Sequence, residues 1–183
     1  MVNIAYRKHQ QKHENNMSLI VTTGSSLKSA NQPAALLEAA LLLDSSEKAR
    51  NGANPGIAPK NNLSVSISSD EGVAQISLTC PAAVSILTGG GLNYAGTNYL
   101  GAGYAVFTPG GDVTSDTQME AVIQVASILS ATEKLVQPAE DQPNNVQVIS
   151  DSEAGTITVT ASLPITMTIA ADGKVQVVAV DYL

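Results

Sequence analysis

One order of elements occurs twice along the chain, and this constrains the fold more than any other feature. The sequence NNLSVSI from Asn61 precedes an acidic turn and a second apolar stretch that ends at Pro81; NNVQVI from Asn144 precedes the same series, which ends at Pro164. The two asparagines are separated by the same interval as the two prolines, with a one-residue shift in register expected between them. Recurrence at a fixed interval predicts two tandem copies of one unit, an internal duplication.

A helix is expected before each set of strands. Residues 33–50 begin with proline, which suits a first helical turn, and are apolar on nearly every side, which predicts a buried helix. The second helix is expected from near Ser115, because Thr117 and Glu120 have the spacing of a capping box and apolar residues follow at helical intervals. The ends of the two helices resemble each other, with LLDSSEK from Leu42 and ILSATEK from Ile128.

The strands alternate between aliphatic and hydroxyl residues. Leu63, Val65 and Ile67 alternate with serines, and residues 156–169 alternate in the same way with threonines. This pattern predicts antiparallel strands with the aliphatic face under the helices and the Ser/Thr face outward. Asp172-Gly173 predicts a tight hairpin turn. The expected fold is therefore α+β, with two tandem copies of a helix followed by about four antiparallel strands.

The expected organisation is an N-terminal arm over residues 1–24, a first repeat over 25–113 and a second over 114–183. The arm is expected to be partly extended or disordered. The first repeat carries a long Gly/Tyr-rich loop over residues 88–104, where the second has only a short turn. Tyrosine gives a large contact area with few torsions to freeze, so this loop is a candidate partner-binding site. Its candidate residues are Asn93, Tyr94, Asn98, Tyr99 and Tyr104. The other interpretation is that these tyrosines lie over their own sheet.

The arm differs in charge from the rest of the chain. Residues 1–17 hold Arg7, Lys8 and Lys12 against Glu14, a net charge of +2, whereas the remaining residues have a net charge of −9. A basic tail on an acidic body predicts docking onto an acidic neighbour, including a copy of the same chain, and these three basic residues are partner-binding candidates. A solvated chain end is the alternative.

The residue inventory argues against several functions. Sixteen acidic residues against nine basic ones argue against nucleic-acid binding, and no apolar run is long enough to span a membrane. Both histidines, His9 and His13, lie in the arm, so the body lacks the commonest general base near neutral pH. Cys80 is alone and continues an aliphatic alternation, which predicts a buried thiol. We expect no catalytic residue, metal or cofactor.

In general character the chain resembles virion structural proteins of tailed bacteriophages, especially capsid decoration (cement) proteins. The likeness lies in its small size, its acidic body, its aromatic content of 3% and its N-terminal arm. The resemblance implies a non-enzymatic structural protein of the virion. It would bridge neighbouring subunits, with coat protein or further copies of itself as partners in a homo-oligomer. The alternative is a small cytoplasmic module that binds a ligand or partner in the cleft between the duplicated halves.

Overall fold

The structure, a computed structural model, describes residues 31–53, 62–97, 115, 117–136 and 144–183. This part of the chain forms two helices and six strands in one antiparallel sheet, so the predicted α+β class is confirmed. In chain order they are α1 (Gln32–Ala53), β1 (Leu63–Ser68), β2 (Val73–Ile86), β3 (Leu92–Gly96), α2 (Gln118–Val136), β4 (Val146–Asp151), β5 (Thr156–Ile169) and β6 (Val175–Ala179).

The two long strands, β2 and β5, form the centre of the sheet. They pair antiparallel from Val73 opposite Pro164 to Pro81 opposite Thr156. β1 and then β3 pair along the outer edge of β2, while β4 and then β6 pair along the outer edge of β5. The C-terminal ends of β2 and β5 therefore point in opposite directions, and each continues past the central ladder as a hairpin.

Each half contains three strands rather than about four. The long strand of each half is continuous and pairs with two short strands, one after the other, along the same edge. Pro81 lies where β2 changes its neighbour from β1 to β3, and Pro164 lies at the matching place in β5. A missing N–H costs no ladder bond in such a gap, so proline does not end the strand there. Each strand of the second half begins and ends the same number of residues after its counterpart in the first half, with β4 matching β1, β5 matching β2 and β6 matching β3. This number equals the separation of Pro81 and Pro164. The expected one-residue shift in register between the halves is therefore absent.

The core lies between the two helices and one face of the sheet. The inward positions of β2 and β5 are buried aliphatic residues and Cys80, while the opposite face carries exposed or half-exposed hydroxyl and amide side chains, as the alternation predicts. Each helix begins at a capping side chain: the Ala34 amide donates to Asn31 Oδ1 at 2.8 Å, and the Glu120 amide donates to Thr117 Oγ1 at 3.3 Å.

The structure differs from the expected long loop over residues 88–104. Residues 92–96 are β3, and the chain turns tightly between Leu87 and Gly91 with the hydrogen bonds that Ala170 and Lys174 make in the second half. Gly90, at a φ of 82°, supplies the positive φ that this turn requires, as Gly173 does at 79°. The sequence does not predict this turn, because the triple glycine lacks the Asp-Gly signal of its counterpart.

Candidate functional site

Two buried carboxylates join the helices to the sheet. Glu47, near the end of α1, has no exposed surface and accepts hydrogen bonds from the backbone amides of Asn62 at 3.0 Å and Leu63 at 3.2 Å. Glu133, near the end of α2, is equally buried and accepts one from the Val146 amide at 3.1 Å. Each carboxylate accepts a hydrogen bond from at least one backbone amide of the protein itself, which indicates a structural role.

Glu133 has a further partner in the C-terminal segment. The hydroxyl of Tyr182 donates a hydrogen bond to the second carboxylate oxygen of Glu133. Burial, and then this contact with the Glu133 carboxylate, raise the pKa of Tyr182 well above its usual range. The residues that follow β6 are thereby fixed against α2.

The tips of the two hairpins expose apolar side chains at matching positions. At the first tip, Ile86 is 78% exposed and Leu92, its partner across the hairpin, is 52% exposed. At the second tip, Ile169 is 79% exposed and Val175, its cross-strand partner, is 63% exposed. All four continue the alternation of the helix-covered face into the hairpins. Each tip therefore presents an uncovered piece of the face that forms the core elsewhere.

Two of the predicted partner-binding residues lie on the first hairpin. Tyr94 is half-buried in β3 and packs against the core, and it lies on the same face as the tip residues. Asn93 is exposed and lies on the opposite face. The remaining candidates fall outside the described residues; they are Asn98, Tyr99, Tyr104, Arg7, Lys8 and Lys12.

A groove of about 420 Å³ lies between α1 and β6. Leu37, Leu41 and Leu42 line its helix side, and Val177 and Ala179 line its strand side, so its lining is mostly apolar. α1 belongs to the first half of the chain and β6 to the second. The groove thus lies at a junction between the two halves, which sequence reasoning could not locate because the pairing of the halves was unknown.

The corresponding junction between α2 and β3 is closed. Glu120, which corresponds to Ala34 of α1, accepts a hydrogen bond from the Gly96 amide at 2.7 Å, and Gly96 corresponds to Ala179 of β6. The approach is so close that a Cβ atom on Gly96 would lie 2.6 Å from Cδ1 of Ile123. Side chains of the protein itself therefore fill the junction between α2 and β3, whereas the matching junction between α1 and β6 is left open.

Burial perturbs two acidic groups near this closed junction. Burial raises the pKa of Glu120, and the hydrogen bond from the Gly96 amide opposes that rise. Cys80 has no exposed surface, and burial, together with the nearby Glu120 charge, raises the pKa of its thiol to about 11. The predicted burial of Cys80 is confirmed, and a thiol with so high a pKa is a poor nucleophile.

A polar depression of about 230 Å³ lies on the hydroxyl-rich face of the sheet, lined in part by Gln75, Asn145 and Ser162. Among the described residues there is no group of three or more His, Cys, Asp or Glu side chains placed to hold a metal ion. No helix within those same ranges is long and apolar enough to cross a membrane.

Comparisons with known proteins add no relative to this description. No family model matches the chain, no curated protein matches its sequence, and no solved structure matches its fold.

Proposed function

We propose that the protein is a non-enzymatic assembly component whose copies associate through the two hairpin tips. The observation that carries this proposal is the exposure of Ile86 and Ile169, at 78% and 79%, on the last residues of the two matching strands β2 and β5. Soluble monomers rarely expose large contiguous apolar patches, and the clustering of exposed aliphatic side chains at two matching tips favours a protein that buries them against neighbours.

The placement of the tips supports association between copies. Because β2 and β5 are antiparallel, the tips lie at opposite ends of the sheet, and a copy that covers one tip leaves the other free. Contacts of this kind can close into a ring or repeat as a lattice. Many modest contacts repeated by symmetry give a strong assembly even when each contact is weak.

A virion shell is the setting that we propose for this assembly, with coat protein or further copies as the neighbours. The support is the resemblance in composition to capsid decoration proteins and the basic arm with Arg7, Lys8 and Lys12 on an acidic body. The arm would add electrostatic attraction to the apolar contacts of the tips.

We further propose that the chain arose by tandem duplication of a unit with one helix and three strands. The constant interval between matching strands of the two halves supports this origin, as does the recurrence of a buried glutamate, Glu47 and then Glu133, near the end of each helix. Duplication would explain why a single chain carries the same apolar tip twice.

The proposal is tested by the mass of the protein in solution, measured by light scattering after size exclusion across a range of concentrations. The wild-type chain is expected to form oligomers whose mass rises with concentration, and the variant Ile86→Ser/Ile169→Ser is expected to dissociate. Leu135→Ser is the matched control, since Leu135 is 76% exposed and belongs to α2 rather than to either hairpin. A wild-type chain that stays monomeric at every concentration, or a double variant with unchanged mass, would overturn the proposal.

The groove between α1 and β6 favours the alternative function, a module that binds a ligand or partner between the halves. Its apolar lining and its volume of about 420 Å³ suit a small apolar molecule or an extended peptide. Monomeric protein that retains a bound apolar molecule through purification, detected by mass spectrometry, would favour this alternative over assembly.

A further inference from the structure

The apolar surface of the second hairpin tip includes a methionine. Met167 is 40% exposed and lies in β5 two residues before Ile169, so the two side chains share one face of the strand. Across the hairpin, Met167 is opposite Val177 and Ile169 is opposite Val175. Met167 therefore belongs to the same uncovered apolar surface as the exposed residues of the tip.

The second methionine that the structure describes has a different environment. Met119, in the first turn of α2, is 1% exposed. Its Cε atom would lie 3.0 Å from a Cβ atom on Gly96, within the closed junction between α2 and β3. Met1 and Met17 lie outside the described residues. Of the two described methionines, Met167 is the one that a small reagent in solution can reach.

The first hairpin tip has valine at the matching position. Val84 precedes Met167 by the interval that relates the strands of the two halves, and the two residues are exposed to a similar extent. A thioether is oxidised by peroxide, whereas the side chain of valine is not. The two tips therefore expose similar apolar surfaces and differ in their reactivity towards an oxidant.

We propose that Met167 is an oxidation site, and that its oxidation by peroxide weakens association through the second hairpin tip. In this step the sulfur lone pair attacks one oxygen of hydrogen peroxide and the O–O bond breaks. The proton of the transferred oxygen passes to the leaving hydroxide, which departs as water. The sulfur is oxidised from thioether to sulfoxide, and the peroxide is reduced. The effect on association rests on the proposed function, whereas the oxidation itself does not.

The effect on association follows from the polarity of the sulfoxide. Its oxygen accepts hydrogen bonds, and water satisfies it while the tip is exposed. Burial against a neighbour would remove that water, and the side chains of Ile169, Val175 and Val177 offer no donor in its place. A buried polar group without a partner costs free energy. Oxidation of Met167 would therefore favour the dissociated protein.

Oxidation of Met167 would act at one end of the molecule. Because β2 and β5 are antiparallel, the tip with Ile86 lies at the opposite end of the sheet, where Val84 keeps its aliphatic surface. Peroxide would thus limit association at the second tip and leave the first tip unchanged. Enzymatic reduction of the sulfoxide would restore the thioether and the contact, so the modification is reversible.

The first test measures where the native chain is oxidised and how fast. Dilute protein is treated with hydrogen peroxide, and the sulfoxide at each methionine is quantified by peptide mass spectrometry. Met167 is expected to oxidise about tenfold faster than Met119, because exposure controls the rate. The same comparison in urea is the control, since unfolding should bring the two rates together. Equal rates in the native protein would overturn the proposal.

The second test measures association by light scattering at high concentration. Oxidised wild-type protein is expected to need about tenfold more protein to reach the same mean mass. Met167→Gln, whose side chain is polar and of similar length, should weaken association without peroxide. Met167→Leu is the matched control, since it stays apolar, should associate as the wild type does and should not respond to peroxide. An equal response of Met167→Leu, or an unchanged mass of the oxidised wild type, would overturn the proposal.

These outcomes are separable from a failure of the proposed assembly. If Ile86→Ser/Ile169→Ser dissociates while the wild-type assembly is insensitive to peroxide, the assembly stands and the role of Met167 falls. If the wild-type chain is monomeric at every concentration, the assembly falls, and the effect of oxidation on association falls with it. The rates at Met167 and Met119 still decide the oxidation site in that case, because they are measured in dilute protein.

Discussion

Glu47 and Glu133 occupy matching places in the two halves, and each accepts a hydrogen bond from the first amide of the strand that follows its helix. The amide belongs to Leu63 at the start of β1 in one half and to Val146 at the start of β4 in the other. A fully buried carboxylate is costly unless hydrogen bonds compensate it, and here the compensation comes from backbone that would otherwise lack partners. Each glutamate thus sets where the sheet begins relative to its helix.

Replacement of Glu47 by alanine should destabilise the fold strongly. The change leaves the amides of Asn62 and Leu63 without their acceptor, and the free energy of unfolding should fall by roughly 3 kcal/mol. Glu47→Gln keeps one acceptor oxygen and should lose less. Urea unfolding measures both. Glu71→Ala, at an exposed turn, is the control and should change little. A Glu47→Ala midpoint equal to that of the control would contradict the structural role.

Gly96→Ala should loosen the closed junction between α2 and β3. The added methyl group would meet the side-chain ends of Ile123, Glu120 and Met119 at 2.6 to 3.0 Å, so these side chains must shift and the hydrogen bond from the Gly96 amide to Glu120 is disturbed. We expect a loss of about 1–2 kcal/mol in the free energy of unfolding. Gly89→Ala is the matched control, because nothing lies within 4 Å of its Cβ position and its φ is not positive. Similar thermal midpoints for the two variants would show that the junction is not tightly packed.

Glu120 should make stability depend on pH in the acidic range. Burial raises its pKa above the ordinary value of 4.5, so the folded protein binds this proton more tightly than the unfolded chain does. The contribution of Glu120 to stability is then fully present below that value and is lost as the pH rises through the folded-state pKa. Glu120→Gln should therefore flatten the fall in the urea midpoint between pH 4 and pH 7. An identical pH dependence in the two proteins would remove Glu120 as its source.

Cys80 should be unreactive until the fold opens. Its thiol is buried, and with a pKa of about 11 only about one molecule in a thousand is ionised at pH 8. A colourimetric disulfide reagent should label the native protein at least 100-fold more slowly than the protein in urea. The labelling rate of glutathione, measured in the same two solutions, corrects for the effect of urea on the reagent. Rapid labelling of native protein would mean that β2 opens without global unfolding.

Much of the local structure could be predicted because local rules decide it. Thr117 caps α2 as its spacing indicates, and the alternation of apolar and hydroxyl residues gives the two faces of the sheet. Glu120 shows the limit of such rules. Glu120 has the spacing of a capping box, but its carboxylate accepts a hydrogen bond from the amide of Gly96, which lies 24 residues earlier in the chain.

The candidate sites depend on contacts that no local pattern encodes. The tyrosines draw attention to residues 88–104, whereas the exposed tip residues Ile86 and Ile169 look like ordinary strand residues. Whether such a residue is buried depends on how far the helices extend over the sheet, which is a property of the packed molecule. The groove between α1 and β6 likewise exists only because β2 and β5 bring the two halves into one sheet.

The sequence by itself determined the class of fold, the positions of the helices and of most turns, and the face of each strand. Those features follow from torsional preference, capping and hydrophobic periodicity, all of which act within a few residues. Tertiary structure alone decided which carboxylates bind backbone amides, which apolar residues remain exposed and which junction between helix and strand stays open. These outcomes depend on distances between residues far apart in the chain, because burial and hydrogen bonding are set by what the folded chain brings together.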